Sequence, residues 1–172
     1  VGTNVLTVHE DRFGSATGIS ADYDTTAGAP KATFQGKGAL QVRLQEETEV
    51  EGATGIYTNK VSLEFAKEVT LDVESGDATK YSYGLLLTGT TAPSLIITDE
   101  AKVRLKSGDA KVSSALYSLE DPEIGPKILM PQDGKKEWID DYDYYTVVDS
   151  QGNVAREVVI GNLIPVTITA PE

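Results

Sequence analysis

The amino-acid sequence predicts an all-β protein, an antiparallel β-sandwich or jelly roll with an N-terminal strand and a long tether. Two observations carry this prediction: apolar and polar residues alternate in many short runs, and turn-forming residues separate those runs. Such alternation is typical of half-buried antiparallel strands, which have one dry and one wet face. Many short strands at close spacing favour a sandwich or a jelly roll.

Three segments follow one another along the chain. Residues 1–8 are predicted to form a single apolar strand. Residues 9–31 are rich in Gly, Ala, Ser and Thr and have no sustained period, so we expect a flexible tether there. Residues 32–172 are expected to form a single β-sandwich domain, in which no internal repeat is evident.

Within that domain, the alternating runs predict half-buried strands. The apolar positions of the clearest runs are Leu40, Val42 and Leu44; Val61, Leu63 and Phe65; Val69, Leu71 and Val73; Val103 and Leu105; and Ile164, Val166 and Ile168. More continuous apolar runs at 81–88 and 94–98 predict central strands that are buried on both faces. Residues 112–125 fit either a helix or a strand, because apolar residues recur there at helical spacing before Pro122.

A net charge of −12, from 27 acidic and 15 basic residues, limits the partners of this chain. It would repel phosphate backbones, so we expect no nucleic-acid partner. No apolar run reaches the ~20 residues of a membrane-spanning helix, so we expect no membrane span. The sequence has no cysteine, which excludes disulfides and thiol catalysis.

No catalytic site is predicted. The sole histidine, His9, has no G-x-S-x-G motif to supply a serine nucleophile, and a zinc site would need several His or Cys ligands. The glycine motifs of nucleotide-binding proteins are also missing from the sequence. We therefore expect a protein that is not an enzyme and that needs no cofactor, calcium excepted.

An acidic cluster of Asp140, Asp141 and Asp143 precedes a predicted hairpin. The hairpin has a first strand from Tyr144, a turn at D-S-Q-G-N and a return strand over residues 154–160. Calcium binds carboxylate and carbonyl oxygens in loops between strands, so the three aspartates are candidate calcium ligands. The alternative is a solvated acidic loop at the rim of the hairpin.

The N-terminal strand suggests a way to assemble. Val5, Leu6 and Val8 can add a strand to an acceptor sheet, where backbone hydrogen bonds give affinity and side chains fill pockets. If the acceptor is an identical subunit, the contact is head-to-tail and grows a filament. The alternative is that the strand pairs within its own chain.

One stretch resembles a known family. Residues 20–44, S-A-D-Y-D-T-T-A-G-A-P-K-A-T-F-Q-G-K-G-A-L-Q-V-R-L, resemble the opening of camelysin/TasA-type biofilm fibre proteins. There an aromatic-Ser-Asp-like element and a small-residue spacer precede a T-F-x-x-G-x-L-x-L strand. The matching residues here are Tyr23 and Asp24, then Thr33, Phe34, Gly38, Leu40 and Val42. The resemblance implies a secreted jelly-roll subunit that polymerises by donating its N-terminal strand.

Taken together, these features predict a structural subunit of an extracellular filament. Its partners would be identical subunits, and its signal peptide would already have been removed. A virion structural protein, such as a head-decoration or tail-tube subunit, is the first alternative. A β-domain that binds or acts on polysaccharide is the second, and it predicts a cleft with two close carboxylates.

Overall fold

The computed structural model describes residues 3–10, 14–23, 30–36, 38–46, 50–89, 94–98, 100–120, 123–124, 128–129, 137–141 and 144–161. These residues form sixteen strands and no helix. In chain order the strands are β1 (Thr3–Glu10), β2 (Ser15–Asp22), β3 (Lys31–Gln35), β4 (Gly38–Glu46), β5 (Gly52–Asn59), β6 (Ser62–Ala66), β7 (Val69–Glu74), β8 (Tyr81–Thr88), β9 (Ser94–Ile97), β10 (Lys102–Lys106), β11 (Val112–Ser118), β12 (Glu123–Ile124), β13 (Ile128–Leu129), β14 (Glu137–Asp141), β15 (Tyr144–Val148) and β16 (Glu157–Ile160).

The strands form three sheets around which the chain winds. The first sheet has the order β1-β4-β7-β10-β16-β13, the second β14-β15-β11-β8-β5-β2 and the third β12-β9-β6-β3. From β2 to β12 the chain visits the second, third and first sheets in turn. Each strand from β2 to β9 pairs in parallel with the strand three places further along the chain. The architecture is therefore a parallel β-solenoid, in which one layer contains one strand from each sheet.

The layers have similar but unequal lengths. In the first sheet Leu40 pairs with Leu71, and Leu71 pairs with Val103, so one layer takes 31 or 32 residues. In the second sheet Gly52 pairs with Tyr81, 29 residues later. Insertions between layers therefore change the repeat length without changing the path of the chain.

The core fills the inside of the coil. Apolar side chains of successive layers lie in columns, as the fully buried Ile56, Leu85 and Leu116 do in the second sheet. In the third sheet Phe34 packs on Phe65 with ring centroids 5.5 Å apart. Full burial of one large apolar side chain stabilises the fold by roughly 1.5–3 kcal/mol. The core thus joins all three sheets and every described layer from β2 to β11.

Antiparallel pairing occurs toward the C-terminal end of the solenoid. β16 pairs antiparallel with β10 and β13, and β15 pairs antiparallel with β11 and β14. These strands lie beyond the last parallel layers of the first and second sheets. They cover the edges of β10 and β11, which would otherwise remain unpaired at the end of the parallel layers.

The all-β character of the chain is confirmed, but the predicted antiparallel sandwich or jelly roll is wrong. Alternation of apolar and polar residues reports one dry face and one wet face, and it carries no information on strand direction. Parallel strands usually need helical crossovers that bury both faces. Here two short strands of the neighbouring sheets make each crossover, so the outer faces stay wet.

Three details of that prediction change with the fold. The segment expected to be a tether contains β2, which pairs in parallel with β5. The domain expected to lack a repeat is built from repeated layers. The segment that fitted a helix or a strand contains β11, a strand. The predicted strand around Ile164, Val166 and Ile168 lies outside the described residues.

Candidate functional site

The N-terminal strand lies at one edge of the first sheet. β1 pairs in parallel with β4 of the same chain over eight positions. Leu6 and Val8 stand in register with Val42 and Leu44, which are buried, and Val5 stands in register with Gln41. At the same end of the solenoid, β2 and β3 are the outermost strands of their sheets in the described part of the chain. The outermost described layer at this end therefore consists of β1, β2 and β3, one strand from each sheet.

The candidate calcium ligands lie near a hairpin of β14 and β15. Asp140 and Asp141 belong to β14 and pair with Tyr145 and Tyr144, while Asp143 lies outside the described residues. Among the residues that the structure describes, no group of three or more His, Asp or Glu is arranged to hold a metal ion. Because Asp143 is not among the described residues, calcium binding here stays a hypothesis.

The predicted turn after this strand is present. β15 begins at Tyr144, and the Asp149 carboxylate accepts hydrogen bonds from the backbone N–H groups of Gln151 and Asn153, both at 2.9 Å. The bond from Asn153 is the main reason that the pKa of Asp149 lies below its ordinary value. The return strand, however, is β16, which pairs with β10 in the first sheet and not with β15. Only the start of the predicted return strand pairs with β15: Val154 forms an antiparallel bridge with Val148, and the Ala155 N–H donates to the Val147 carbonyl at 2.8 Å. The predicted two-stranded hairpin over 144–160 is therefore wrong from Glu157 onward.

Sequence reasoning missed a charged groove on the outside of the solenoid. It has a volume of about 870 Å³ and runs across successive layers, where strands of the first sheet end and turns lead to the second. We call it the corner groove. Its lining residues are Arg43, Leu44, Glu74, Ser75, Gly76, Asp77, Lys106, Ser107, Gly108, Asp109, Arg156 and Glu157.

A ladder of ion pairs forms one wall of the corner groove. Lys106 pairs with Glu74, and Arg156 pairs with Asp109. Beside the groove, the Arg104 guanidinium lies 2.7 Å from a carboxylate oxygen of Asp72, which also pairs with Arg43. The ladder therefore crosses β4, β7 and β10 and links three layers on their wet face.

The ion-pair ladder changes the pKa of the Asp72 carboxyl. Partial burial alone would raise its pKa, but hydrogen bonds from Arg43 and Arg104, with their charges, outweigh that effect. The pKa of Asp72 therefore lies below its ordinary value. For Arg104, burial alone would lower the pKa of the guanidinium, but the hydrogen bonds that it donates to Glu157 and Asp72, with their charges, outweigh that effect and raise the pKa. Both groups stay charged at neutral pH.

Two identical turns form the floor of the corner groove. The sequence S-G-D-A occurs at 75–78 and again at 107–110, and the two copies stack in adjacent layers. The backbone N–H of Ala78 donates to the carbonyl of Asp109 at 2.7 Å, and the N–H of Ser75 donates to that of Lys106 at 3.0 Å. The repeated tetrapeptide, 32 residues apart, was the sequence signal for this site.

The stacked turns leave no room for a side chain at their centre. A Cβ on Gly108 would lie 2.3 Å from the carbonyl carbon of Gly76. Beneath them, the buried Ser82 hydroxyl donates to the Gly76 carbonyl and accepts from the Gly108 N–H, each at 2.9 Å. The floor is thus bare backbone, held from below by a buried hydroxyl.

Comparisons with protein-family models, curated proteins and solved structures find no match to this chain. In the part of the chain that the structure describes, no helix has the length and apolar character that crossing a membrane would require. The class that the geometry itself defines is a parallel β-solenoid.

Proposed function

We propose that this chain is a structural subunit of an extracellular filament, in which β1 of one subunit pairs with β4 of the next. The observation that carries the proposal is the position of β1. It is the edge strand of the first sheet and pairs only with β4 among the described strands. Strands in this position are the ones that subunits exchange, because only one sheet edge has to open.

The proposed exchange keeps all of the contacts of β1. The eight register positions that join β1 to β4 within one chain would be formed again between two chains. Backbone hydrogen bonds contribute only about 0.5–1.5 kcal/mol each, and they would be equal in both arrangements. Assembly would therefore depend on subunit concentration and on the short connection between Glu10 and Ser15, because its ends must separate.

The chain suits a direct test because it contains no cysteine. In the double variant Val5→Cys with Gln41→Cys, the two thiols occupy paired positions of β1 and β4. Filaments treated with a short thiol crosslinker should give a ladder of covalent multimers on a denaturing gel. The matched control is Val5→Cys with Thr70→Cys, because Thr70 lies on β7, one strand further from β1.

Two results would contradict the proposal. One is crosslinking that stays within single chains even in samples that contain filaments by negative-stain microscopy. The other is a variant without residues 1–8 that still forms filaments as the full chain does. Loss of filaments with retention of the strand-rich circular dichroism spectrum would support strand exchange.

A further inference from the structure

The corner groove has features of a binding site for an elongated polar ligand. Its volume of about 870 Å³ is within the range of ~300–1,000 Å³ that ligand sites commonly have. Its lining differs from that of sites for apolar ligands, because Leu44 is the only large apolar residue among the lining residues. The other eleven lining residues are seven charged residues, two serines and two glycines, so the groups that can recognise a ligand here are hydrogen-bonding groups.

The charges of the groove exclude an acidic ligand. The lining contains four carboxylates and three basic side chains, and the whole chain has a net charge of −12. Lys106 and Arg156 are neutralised by Glu74 and Asp109. The field of the protein would therefore oppose the approach of a polyanion.

Asp77 is the carboxylate that remains available. Its oxygen Oδ1 accepts a hydrogen bond from the backbone N–H of Asp109. No basic side chain of the described residues forms an ion pair with it. A carboxylate has about four acceptor positions, so Asp77 can still accept hydrogen bonds from ligand hydroxyl or ammonium groups.

The groove also repeats along the solenoid axis. The two S-G-D turns present the same groups in adjacent layers, and strands of adjacent layers lie ~4.8 Å apart. A ligand made of repeating units can place like groups against like turns. Gly76 and Gly108 have no side chain, so the floor is backbone at these two lining residues.

We infer that the corner groove binds a polysaccharide strand that carries no acidic groups, laid along the solenoid axis, with Asp77 accepting hydrogen bonds from its hydroxyl or amino groups. This binding is independent of filament formation, because every lining residue belongs to one chain. Neutral and amino sugars share the chemistry that the groove requires, so the experiment has to separate them.

Isothermal titration calorimetry of the full chain with three hexasaccharides tests the inference: an uncharged glucan, a glucosamine oligomer and an acidic uronate oligomer. Binding of the first or the second, without the third, is the expected result. The preferred one of the two tells whether hydroxyl or ammonium groups are recognised. Equal or tighter binding of the uronate, or no binding of any hexasaccharide at millimolar concentration, would overturn the inference.

Substitutions locate the binding. Asp77→Asn removes the charge and keeps an acceptor for the Asp109 N–H, so the fold should persist and the Kd should rise roughly ten-fold. Arg156→Gln, whose side chain is half exposed, removes a donor from the wall that the ion-pair ladder forms and should also weaken binding. The control is Glu100→Gln, an exposed residue before the far end of β10. A Kd that responds equally to Glu100→Gln, or not at all to the groove variants, would rule out this groove.

Discussion

Gly18, Gly55 and Gly84 form a column in the second sheet, at the point where pairing between layers skips one residue. Thr17 pairs with Thr54 and Ile19 with Ile56, and the glycines lie between these pairs. A Cβ on Gly55 would lie 2.7 Å from the carbonyl oxygen of Gly84, in the next layer. Glycine is required here by the close approach of two backbones.

The variant Gly55→Ala should therefore be destabilised. Its methyl group would meet Val73 Cγ1 at 2.2 Å as well as the Gly84 carbonyl, and overpacking of this kind costs about 1–3 kcal/mol. Urea denaturation should show a lower free energy of unfolding. Gly14→Ala is the control, because no atom lies within 4 Å of its new methyl group, and its stability should stay near that of the parent chain.

The Ser82 hydroxyl beneath the corner groove should also contribute to stability. Ser82→Ala would leave the Gly108 N–H and the Gly76 carbonyl without their buried partner, and such a loss costs about 1–3 kcal/mol. Thermal melting should show a reduced Tm. Ser113→Ala removes only a long bond of 3.5 Å from a half-buried residue, and a Tm reduced equally in both variants would contradict the role given to Ser82.

Among the strands, β7 shows most clearly how the two faces of one strand stabilise the fold in different ways. One face of β7 buries Val69, Leu71 and Val73, and the other presents Asp72 to Arg43 of β4 and Arg104 of β10. The dry face stabilises the fold by apolar burial. The wet face stabilises it by charge pairs whose strength depends on pH.

The direction of that pH dependence follows from Asp72. Its pKa in the folded chain is below the ordinary value of ~3.9, so its contribution to stability is complete above about pH 4 and is lost as the pH falls toward the folded pKa. Asp72→Asn should therefore be less stable than the parent chain at pH 7. The difference between the two should shrink below about pH 4.

Unfolding free energies of both proteins between pH 7 and pH 3 test this expectation. Glu100→Gln provides the comparison, since its exposed side chain has no ion pair among the described residues. If the difference between Asp72→Asn and the parent chain stayed constant over that range, the charge pairs would not be its cause.

The sequence predicts the strands and their dry faces but not the way in which the strands join. Val61, Leu63 and Phe65 are all buried, as their alternation predicts. The predicted strand direction is wrong because apolar and polar residues alternate in the same way in parallel and antiparallel strands that have one buried face. Repeated motifs carry the missing information: A-T-G-I occurs at 16–19 and 53–56, and these copies stack in register.

The corner groove could have been predicted in part. Residues of the S-G-D type favour turns, but only the stacking of the two turns joins them to Arg43 and Arg156 from other layers. Unequal layer lengths hide that relationship, because Ser15 pairs with Gly52 after 37 residues while Gly52 pairs with Tyr81 after 29. No fixed period therefore marks the repeat in the sequence.

The whole molecule is a stack whose layers contact mainly their neighbours. In such a protein stability falls toward an uncovered end, because the outermost strands have a partner on one side only. Here β5, β6 and β7 have partner strands on both sides, while β2 and β3 have a partner on one side among the described residues.

Hydrogen exchange should follow this order. Amides of β5, β6 and β7 should exchange most slowly, and those of β2 and β3 should exchange faster by a measurable margin. Mass spectrometry of peptic fragments would show the gradient along the stack. Equal protection of β3 and β6 would mean that something covers the outer edge of β3, or that the stack opens as one unit.

The recurrence of one tetrapeptide at the same corner makes the length of the molecule adjustable. Because 75–78 and 107–110 occupy equivalent places, tandem copying of residues 76–107 would begin and end on the same backbone geometry. The product should keep the same contacts between adjacent layers and should be longer than the parent solenoid by ~4.8 Å. Duplication of this segment would thus lengthen the solenoid by one layer at a time, and small-angle X-ray scattering would measure the increase in length.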